Sequence, residues 1–274
     1  MSTGITGVSP ALSTKCEQSS MRICRFTSPE SSVAQFGIVD GDVILGSEAA
    51  TVELVPGAPK GQPINFAAKL LSPVTPSKIV CVGRNYREHA AELGNKMPDE
   101  PLLFLKAPSA VIGNGDSIQL PPESAQVEHE GELGVVIAKQ AHRLAEDDDP
   151  LGYVLGYTCV NDVTARDLQR KDVQFTRAKS FDTFCPVGPW IETELDPLKL
   201  SVKTRVNGVE KQSGRTADMA FSVPFLIRYI ANIMTLLPGD LIVTGTPAGV
   251  SRLSPGDTVE VEIDCIGILQ NIVS

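Results

Sequence analysis

The run Val127-Glu128-His129-Glu130-Gly131-Glu132-Leu133-Gly134-Val135-Val136-Ile137-Ala138-Lys139 is where a reading of this chain begins. It predicts one long β-strand over 127–139. On a strand, residues two apart face the same way. Glu128, Glu130 and Glu132 then share a face, and His129 points away. Val135, Val136 and Ile137 do not alternate with polar residues, so this end of the strand is expected to be buried on both faces. Three carboxylates on one face repel each other. They are either an exposed acidic strand end or a site for a hard cation, since Mg²⁺ and Mn²⁺ take carboxylate oxygens.

A further carboxylate follows an apolar strand read over 152–161. Asp162 is either the N-cap of a helix predicted over 163–171 or another ligand. Asp162, Arg166 and Gln169 recur at i, i+4 and i+7, which places them on one helix face. They form a pocket wall for a metal and an anionic substrate, or Arg166 simply pairs with Asp162. Within a polar loop read from the end of that helix to Cys185, Lys179 sits in Arg177-Ala178-Lys179-Ser180-Phe181-Asp182. Near three carboxylates it is the natural counter-charge. Thr244-Gly245-Thr246-Pro247 ends the strand begun at Asp240, and its small residues allow a ligand to approach the backbone.

Outward from these segments the chain is rich in strands. Asp40-Gly41 marks a hairpin between runs at 35–39 and 42–45. A strand continues at 51–55, a short helix is predicted over 64–71, and 71–77, with two prolines, reads as a linker. A buried strand follows at 78–83. A helix over 85–93 ends at Gly94-Asn95, a strand covers 102–106, and the longest helix covers 223–236. Gly-Asp turns launch strands at Gly41, Gly115, Gly239 and Gly256. Many strands and few helices predict a β-rich α+β fold. It is divided into a disordered tail (1–20), a small N-terminal β domain (21–72) and a larger body (78–274). No glycine-rich phosphate loop follows a strand, so no nucleotide site is expected.

The 274 residues carry 24 Lys and Arg against 33 Asp and Glu, a net charge of −9. That balance disfavours nucleic acid and anionic membrane as partners. No apolar run approaches the roughly 20 residues of a membrane helix. The six cysteines form no CxxC pair and mostly lie in apolar runs, as expected of reduced, buried thiols. Residues 1–20 lack an apolar core segment and the arginines of a mitochondrial presequence. The expectation is a cytoplasmic protein, with mitochondrial import the weaker alternative.

Taken in order, Gly83-Arg84-Asn85-Tyr86, His89, Glu92, His129-Glu130-x-Glu132-Leu133, Asn161-Asp162-Val163-Thr164-Ala165-Arg166-Asp167-Leu168-Gln169, Lys179-Ser180-Phe181-Asp182 and Thr244-Gly245-Thr246-Pro247 resemble the fumarylacetoacetate hydrolase superfamily. The resemblance is to its shorter members and spans about 78–271. It implies a rolled mixed β-sheet body with a small N-terminal domain, usually a homodimer. It implies that Glu130, Glu132 and Asp162 bind Mg²⁺ or Mn²⁺. His89 and Glu92 match the acid–base pair on a lid helix, and Lys179 the active-site lysine. Thr246 matches a residue contacting substrate, with Arg166 and Gln169 at matching substrate-side positions. Glu128 is outside the family's ligand set and is expected to be exposed. The implied substrates are 2-oxo and 1,3-diketo acids, processed through a metal-bound enolate. C–C hydrolysis of an acylpyruvate comes first. Tautomerisation, isomerisation or decarboxylation, of oxaloacetate or a hydroxymuconate-type dienol, is the alternative on the same site. Phe181-Asp182-Thr183-Phe184-Cys185-Pro186 also resembles members that tautomerise oxaloacetate. A metal-binding protein without turnover is the reading from a different class. Fumarylacetoacetate itself is disfavoured, because the chain lacks the namesake enzyme's long N-terminal domain. The segment 86–100 carries His89 and Glu92 with few apolar anchors, so it is expected to act as a mobile lid.

Overall fold

The computed structural model describes residues 20–28, 31–41, 43–47, 63–64 and 69–274. The expected tail, the run at 51–55 and Cys16 lie outside these residues. Thirteen principal strands occur in chain order: β1 (Arg22–Ser28), β2 (Ser31–Asp40), β3 (Val43–Ser47), β4 (Ile79–Gly83), β5 (Leu102–Lys106), β6 (Gly131–Ile137), β7 (Val154–Asn161), β8 (Cys185–Glu192), β9 (Ser201–Val206), β10 (Val209–Arg215), β11 (Leu241–Val243), β12 (Thr258–Ile263) and β13 (Gly267–Val273). The helices are α1 (Arg87–Glu92), α2 (Arg166–Lys171), α3 (Thr176–Lys179) and α4 (Val223–Ile233).

A 12-stranded mixed sheet has the path β3-β2-β1-β8-β7-β6-β11-β4-β5 along most of its length. Only β11 and β4 run parallel within that path. A second, five-stranded sheet has the order β10-β9-β12-β13 and ends on the short strand Ser117–Ile118. The architecture is α+β and strand-rich, as the turn pattern predicts. The main core lies where β6, β7 and β8 meet the second sheet and α4, with Leu133, Val135, Cys159, Val202, Val261, Leu226 and Ile230 all buried. β6 is buried along its whole length, which accounts for the unbroken Val135-Val136-Ile137 run. Gly41, Gly115, Gly239 and Gly256 all take positive φ, the left-handed geometry those turns need. Cys24, Cys81, Cys159 and Cys185 are free and buried.

Four expectations are corrected. The strand over 127–139 is broken: Val127–Glu128 pairs with Thr164–Ala165, and β6 starts at Gly131. The break is held open by Asn161, whose Oδ1 accepts from the Glu130 amide at 3.0 Å. The helix over 163–171 starts at Arg166, because its amide is taken by the Gln126 carbonyl at 2.7 Å and the two residues before it pair as strand. Asp162 is therefore not a helix cap. The helix over 64–71 is replaced at its ends by strands, Pro63–Ile64 and Lys69–Leu71. Positions 65–68 lie outside the described residues. Lastly, Glu128 is 6% exposed, not a solvent-facing acid, for the reason given below.

Candidate active site

Antiparallel pairing of β6 and β7 places Gly131 opposite Asn161 and Glu132 opposite Val160. The residues just outside that pairing, Glu130 and Asp162, are thereby brought together. The Asp162 amide donates to the Glu130 carbonyl at 2.8 Å. Glu130, Glu132 and Asp162 are all buried, and they offer carboxylate oxygens within 4.8 Å of one another.

Cations surround two of the three. Lys179, at the end of α3, donates from Nζ to Glu130 Oε2 at 2.6 Å and to Asp162 Oδ2 at 2.7 Å. Lys106, at the end of β5, donates to Asp162 Oδ1 at 2.6 Å and to the Val163 carbonyl at 3.2 Å. Arg166 donates from Nε to Glu128 Oε2 at 2.7 Å, from one terminal nitrogen to Glu130 Oε1, and from the other to Gln169 Oε1 at 2.5 Å. Arg166 thus does not pair with Asp162. It draws Glu128 inward, which is why that carboxylate is buried. Among the described residues, Glu132 receives a hydrogen bond only from the Gly245 backbone amide.

These unequal partners split the acids. Burial alone would raise the Glu130 carboxyl, but Lys179 and then Arg166 outweigh it and hold it well below the usual range. Burial, reinforced by Asp162 and Glu130, pushes Glu132 well above it. Burial alone would lower Lys179, but Asp162 and Glu130 outweigh it and keep the ammonium charged. Four buried carboxylates, counting Glu128, face three buried cations. The set is one positive charge short, and Glu132 is the acid left uncompensated. Three hard oxygen donors with no sulfur or imidazole among them, and a charge deficit at one of them, fit a hard divalent cation.

His89 and Glu92 meet one turn apart on α1, with Nδ1 and Oε2 at 3.1 Å. The other Glu92 oxygen accepts the Gly249 amide at 3.0 Å. His89 is buried, whereas the Glu92 side chain is 32% exposed. The carboxylate holds the proton on Nδ1 and leaves Nε2 for chemistry.

Behind Thr246 lies a network whose proton positions follow from its partners. Gln212 Nε2 donates to Thr246 Oγ1 and to the Pro247 carbonyl, both at 2.7 Å. Its Oε1 accepts from the Gly131 amide at 3.0 Å and contacts His129 Nδ1 at 3.1 Å. An amide oxygen only accepts, so His129 carries its proton on Nδ1. Its Nε2 then accepts from Ser251 Oγ at 2.8 Å. Burial pushes the His129 pKa down, which keeps the ring neutral. The Thr246 hydroxyl donates to the Gly131 carbonyl at 2.8 Å. It keeps one lone pair, so it meets a ligand as an acceptor.

All nine residues singled out from the sequence, His89, Glu92, Glu130, Glu132, Asp162, Arg166, Gln169, Lys179 and Thr246, line one cavity of about 370 Å³. That volume suits a small organic acid. His129 points away from the carboxylates, as the strand pattern indicates. Sequence reasoning missed Lys106, Gln212, Arg84 and Arg170. Lys106 left a signal: Leu102 and Phe104 line the cavity, and period 2 carries the next side chain, Lys106, the same way. Gln212 left none, because it lies on a mostly exposed strand.

A strand-built pocket thus gathers a buried carboxylate triad, a charged lysine and a paired histidine, the kind of constellation that enzyme active sites carry. The chain belongs to the fumarylacetoacetate (FAA) hydrolase C-terminal family, whose model matches residues 78–274. It is 45% identical over 218 residues to the oxaloacetate tautomerase YisK of Bacillus subtilis, covering 74% of this chain and 72% of that one. It resembles the solved 5-carboxymethyl-2-hydroxymuconate delta-isomerase of Mycobacterium smegmatis, with 41% identity, TM-score 0.82, and 92% and 98% of the two chains covered. It also resembles a solved fumarylacetoacetate hydrolase from psychrophilic Exiguobacterium antarcticum, with 36% identity, TM-score 0.82, and 93% and 99% covered.

Proposed function

We propose that this chain is a Mg²⁺- or Mn²⁺-dependent enzyme that shifts a proton between the enol and keto forms of a 2-oxo acid. Tautomerisation or isomerisation thus moves ahead of the acylpyruvate hydrolysis that the sequence puts first. The observation carrying it is that the His89–Glu92 pair and the Lys179 ammonium line the same cavity as the carboxylate triad. The tautomerase and isomerase names of relatives at 45% and 41% identity support the choice of reaction.

Glu130, Glu132 and Asp162 would hold the cation, which supplies Lewis acidity to the 2-oxo carboxylate. His89 Nε2 takes the proton from the carbon beside the carbonyl as the carbonyl oxygen gains one to become the enol hydroxyl. In ketonisation His89 delivers a proton to that carbon as the hydroxyl proton is lost. Glu92 fixes the orientation and tautomer of the ring. Lys179 remains protonated and offsets negative charge developing on the substrate oxygen. Thr246 Oγ1 accepts a hydrogen bond from an enol hydroxyl. All three Arg166 nitrogens are bonded within the protein, so Arg166 acts by setting Glu130 and Gln169 in place. Hydrolysis of an acylpyruvate is the second reading. It needs only that the same histidine activate a water, and the hydrolase name of the relative at 36% identity favours it. Decarboxylation of oxaloacetate draws on the same groups. We further propose a homodimer in the cytoplasm; among the described residues, no helix is long and apolar enough to cross a membrane.

The test is NMR product analysis with Mg²⁺ on enol-oxaloacetate, a hydroxymuconate-type dienol and acylpyruvates. Faster ketonisation without C–C cleavage is expected. His89→Ala should slow it by about 10²–10⁴-fold, the usual cost of losing a general acid–base group. Cleaved acylpyruvate with no effect on enol–keto exchange would reverse the order of the two readings. Full activity after treatment with EDTA would remove the metal from the scheme.

A further inference from the structure

We propose that Arg84 and Arg170 form a cationic rim that holds the distal carboxylate of the substrate, making the site selective for 2-oxo dicarboxylates over 2-oxo monocarboxylates. The inference rests on the reading of the cavity as a 2-oxo acid site. The cations on the floor of the cavity are already committed. Lys106, Lys179 and Arg166 are each held by buried carboxylates, so none is left for a second carboxylate on a ligand.

The rim differs. Arg84 and Arg170 both line the cavity. Among the described residues, neither has a carboxylate within ion-pair distance, and the one side-chain bond of Arg170 runs to the neutral Gln126 Oε1 at 3.3 Å. Glu92 is the acid nearest in role, but both of its oxygens are engaged, by His89 and by the Gly249 amide. Arg170 lies four residues beyond Arg166 on α2, so the two share a helix face with about 6 Å of rise between them. Arg166 is buried and Arg170 is exposed, so the step leads from floor to mouth. A chain of four or five carbons covers it.

Arg84 adds an independent sign. It follows β4 with φ +58°, a left-handed backbone for a residue with a side chain. Such conformations gather at ligand-holding sites, where the surrounding structure enforces them. Here the unusual backbone belongs to a half-buried arginine without an acidic partner, at the edge of an acid-binding cavity.

The experiment is calorimetric binding, with Mg²⁺ present, of three probes. Oxalate reaches only the floor, 2-oxoglutarate has a distal carboxylate, and 2-oxohexanoate carries an alkyl end instead. The wild-type chain should prefer 2-oxoglutarate to 2-oxohexanoate. Arg170→Met and Arg84→Gly should each weaken 2-oxoglutarate by about 10–100-fold, the range for a hydrogen bond to a charged group. Oxalate and 2-oxohexanoate should change less than about twofold. Arg84→Gly suits the left-handed backbone, so it removes the side chain without adding strain, and retained oxalate binding shows an intact floor. Equal losses for all three probes, or none, would overturn the rim. Failure of the wild-type chain to bind oxalate would overturn the 2-oxo acid reading, and the rim with it.

Discussion

Lys106 ends a strand of apolar residues, yet it is 2% exposed while its neighbour Leu105 is 47% exposed. The inversion follows from Asp162, whose buried carboxylate needs a second cation beside Lys179. Removing one partner of a buried ion pair leaves an unmatched charge, at a cost of about 3–5 kcal/mol. Lys106→Met should therefore lower stability by that order in chemical denaturation, and Mg²⁺ should restore part of it. A loss below about 0.5 kcal/mol would show that Asp162 does not depend on Lys106. Glu132 supplies a pH signature. Its carboxyl lies well above the usual range when folded, whereas an unfolded glutamate titrates near 4.5. Between those values the folded state holds a proton that the unfolded chain has lost. Without metal, this group's contribution is full below about 4.5 and declines as pH rises through the folded value. Glu130 has the opposite sign, because it is held low when folded. Its contribution is present above 4.5 and disappears only on further acidification, so it stays ionised at neutral pH. Cation binding must displace the Glu132 proton. The rise in Tm on adding Mg²⁺ should therefore grow as pH is raised from the ordinary glutamate range toward the folded value of Glu132. Glu132→Gln should abolish that growth; a pH-independent increment in the wild-type chain would count against Glu132 as a ligand.

At the scale of the elements, α1 has little to hold it. Six residues are too few for a helix to be stable alone, and only His89 and Ala90 within it are buried. Its anchors are Tyr86 at its start and the Gly249 amide on Glu92. That makes α1 the centre of the candidate lid expected from the sequence over 86–100. Amide exchange there should be faster than in β6 in the free protein, and it should slow on adding Mg²⁺ with oxalate. Strong protection in both states would argue for a fixed wall. Gly249 sustains the contact by its shape. It has φ +106°, and a Cβ there would lie 1.9 Å from the Lys211 carbonyl, so no side chain fits where the loop donates to Glu92.

At the scale of the whole molecule, the N-terminal segment is joined to the body by its sheet. Arg22 and Ile23 of β1 pair with Glu192 and Ile191 of β8. Cys24, Phe26 and Ile44 share a core with Leu133 and Val135. The stretch read as a linker is also packed: Ser72 and Val74 are buried, and Ser77 Oγ donates to Asp240 Oδ1 at 2.6 Å. The division at 72–78 is thus a proposal about the chain's organisation that unfolding can test. Each buried large apolar side chain is worth roughly 1.5–3 kcal/mol, and a fragment of 78–274 would expose several. The full chain should melt in one cooperative transition, and the fragment should aggregate or melt well below it. A fragment with the full chain's Tm would establish independent domains.

Much of this was legible locally. A Gly-Asp turn declares itself within a few residues, an apolar run within six, and an acidic pair at i, i+2 within three. The strand-rich α+β class and the candidates Glu130, Glu132 and Asp162 were therefore readable from the chain alone, and the order of the motifs pointed to the family. Other features waited for the tertiary structure. Glu128 is buried because Arg166, 38 residues later, reaches it. The Thr246 hydroxyl is oriented by Gln212, 34 residues earlier, which His129 holds in turn from 83 residues away. Such contacts depend on strand register and on where loops return, and no local pattern encodes those. Alternation tells which way a side chain points along its own strand; only the folded sheet decides what stands opposite it.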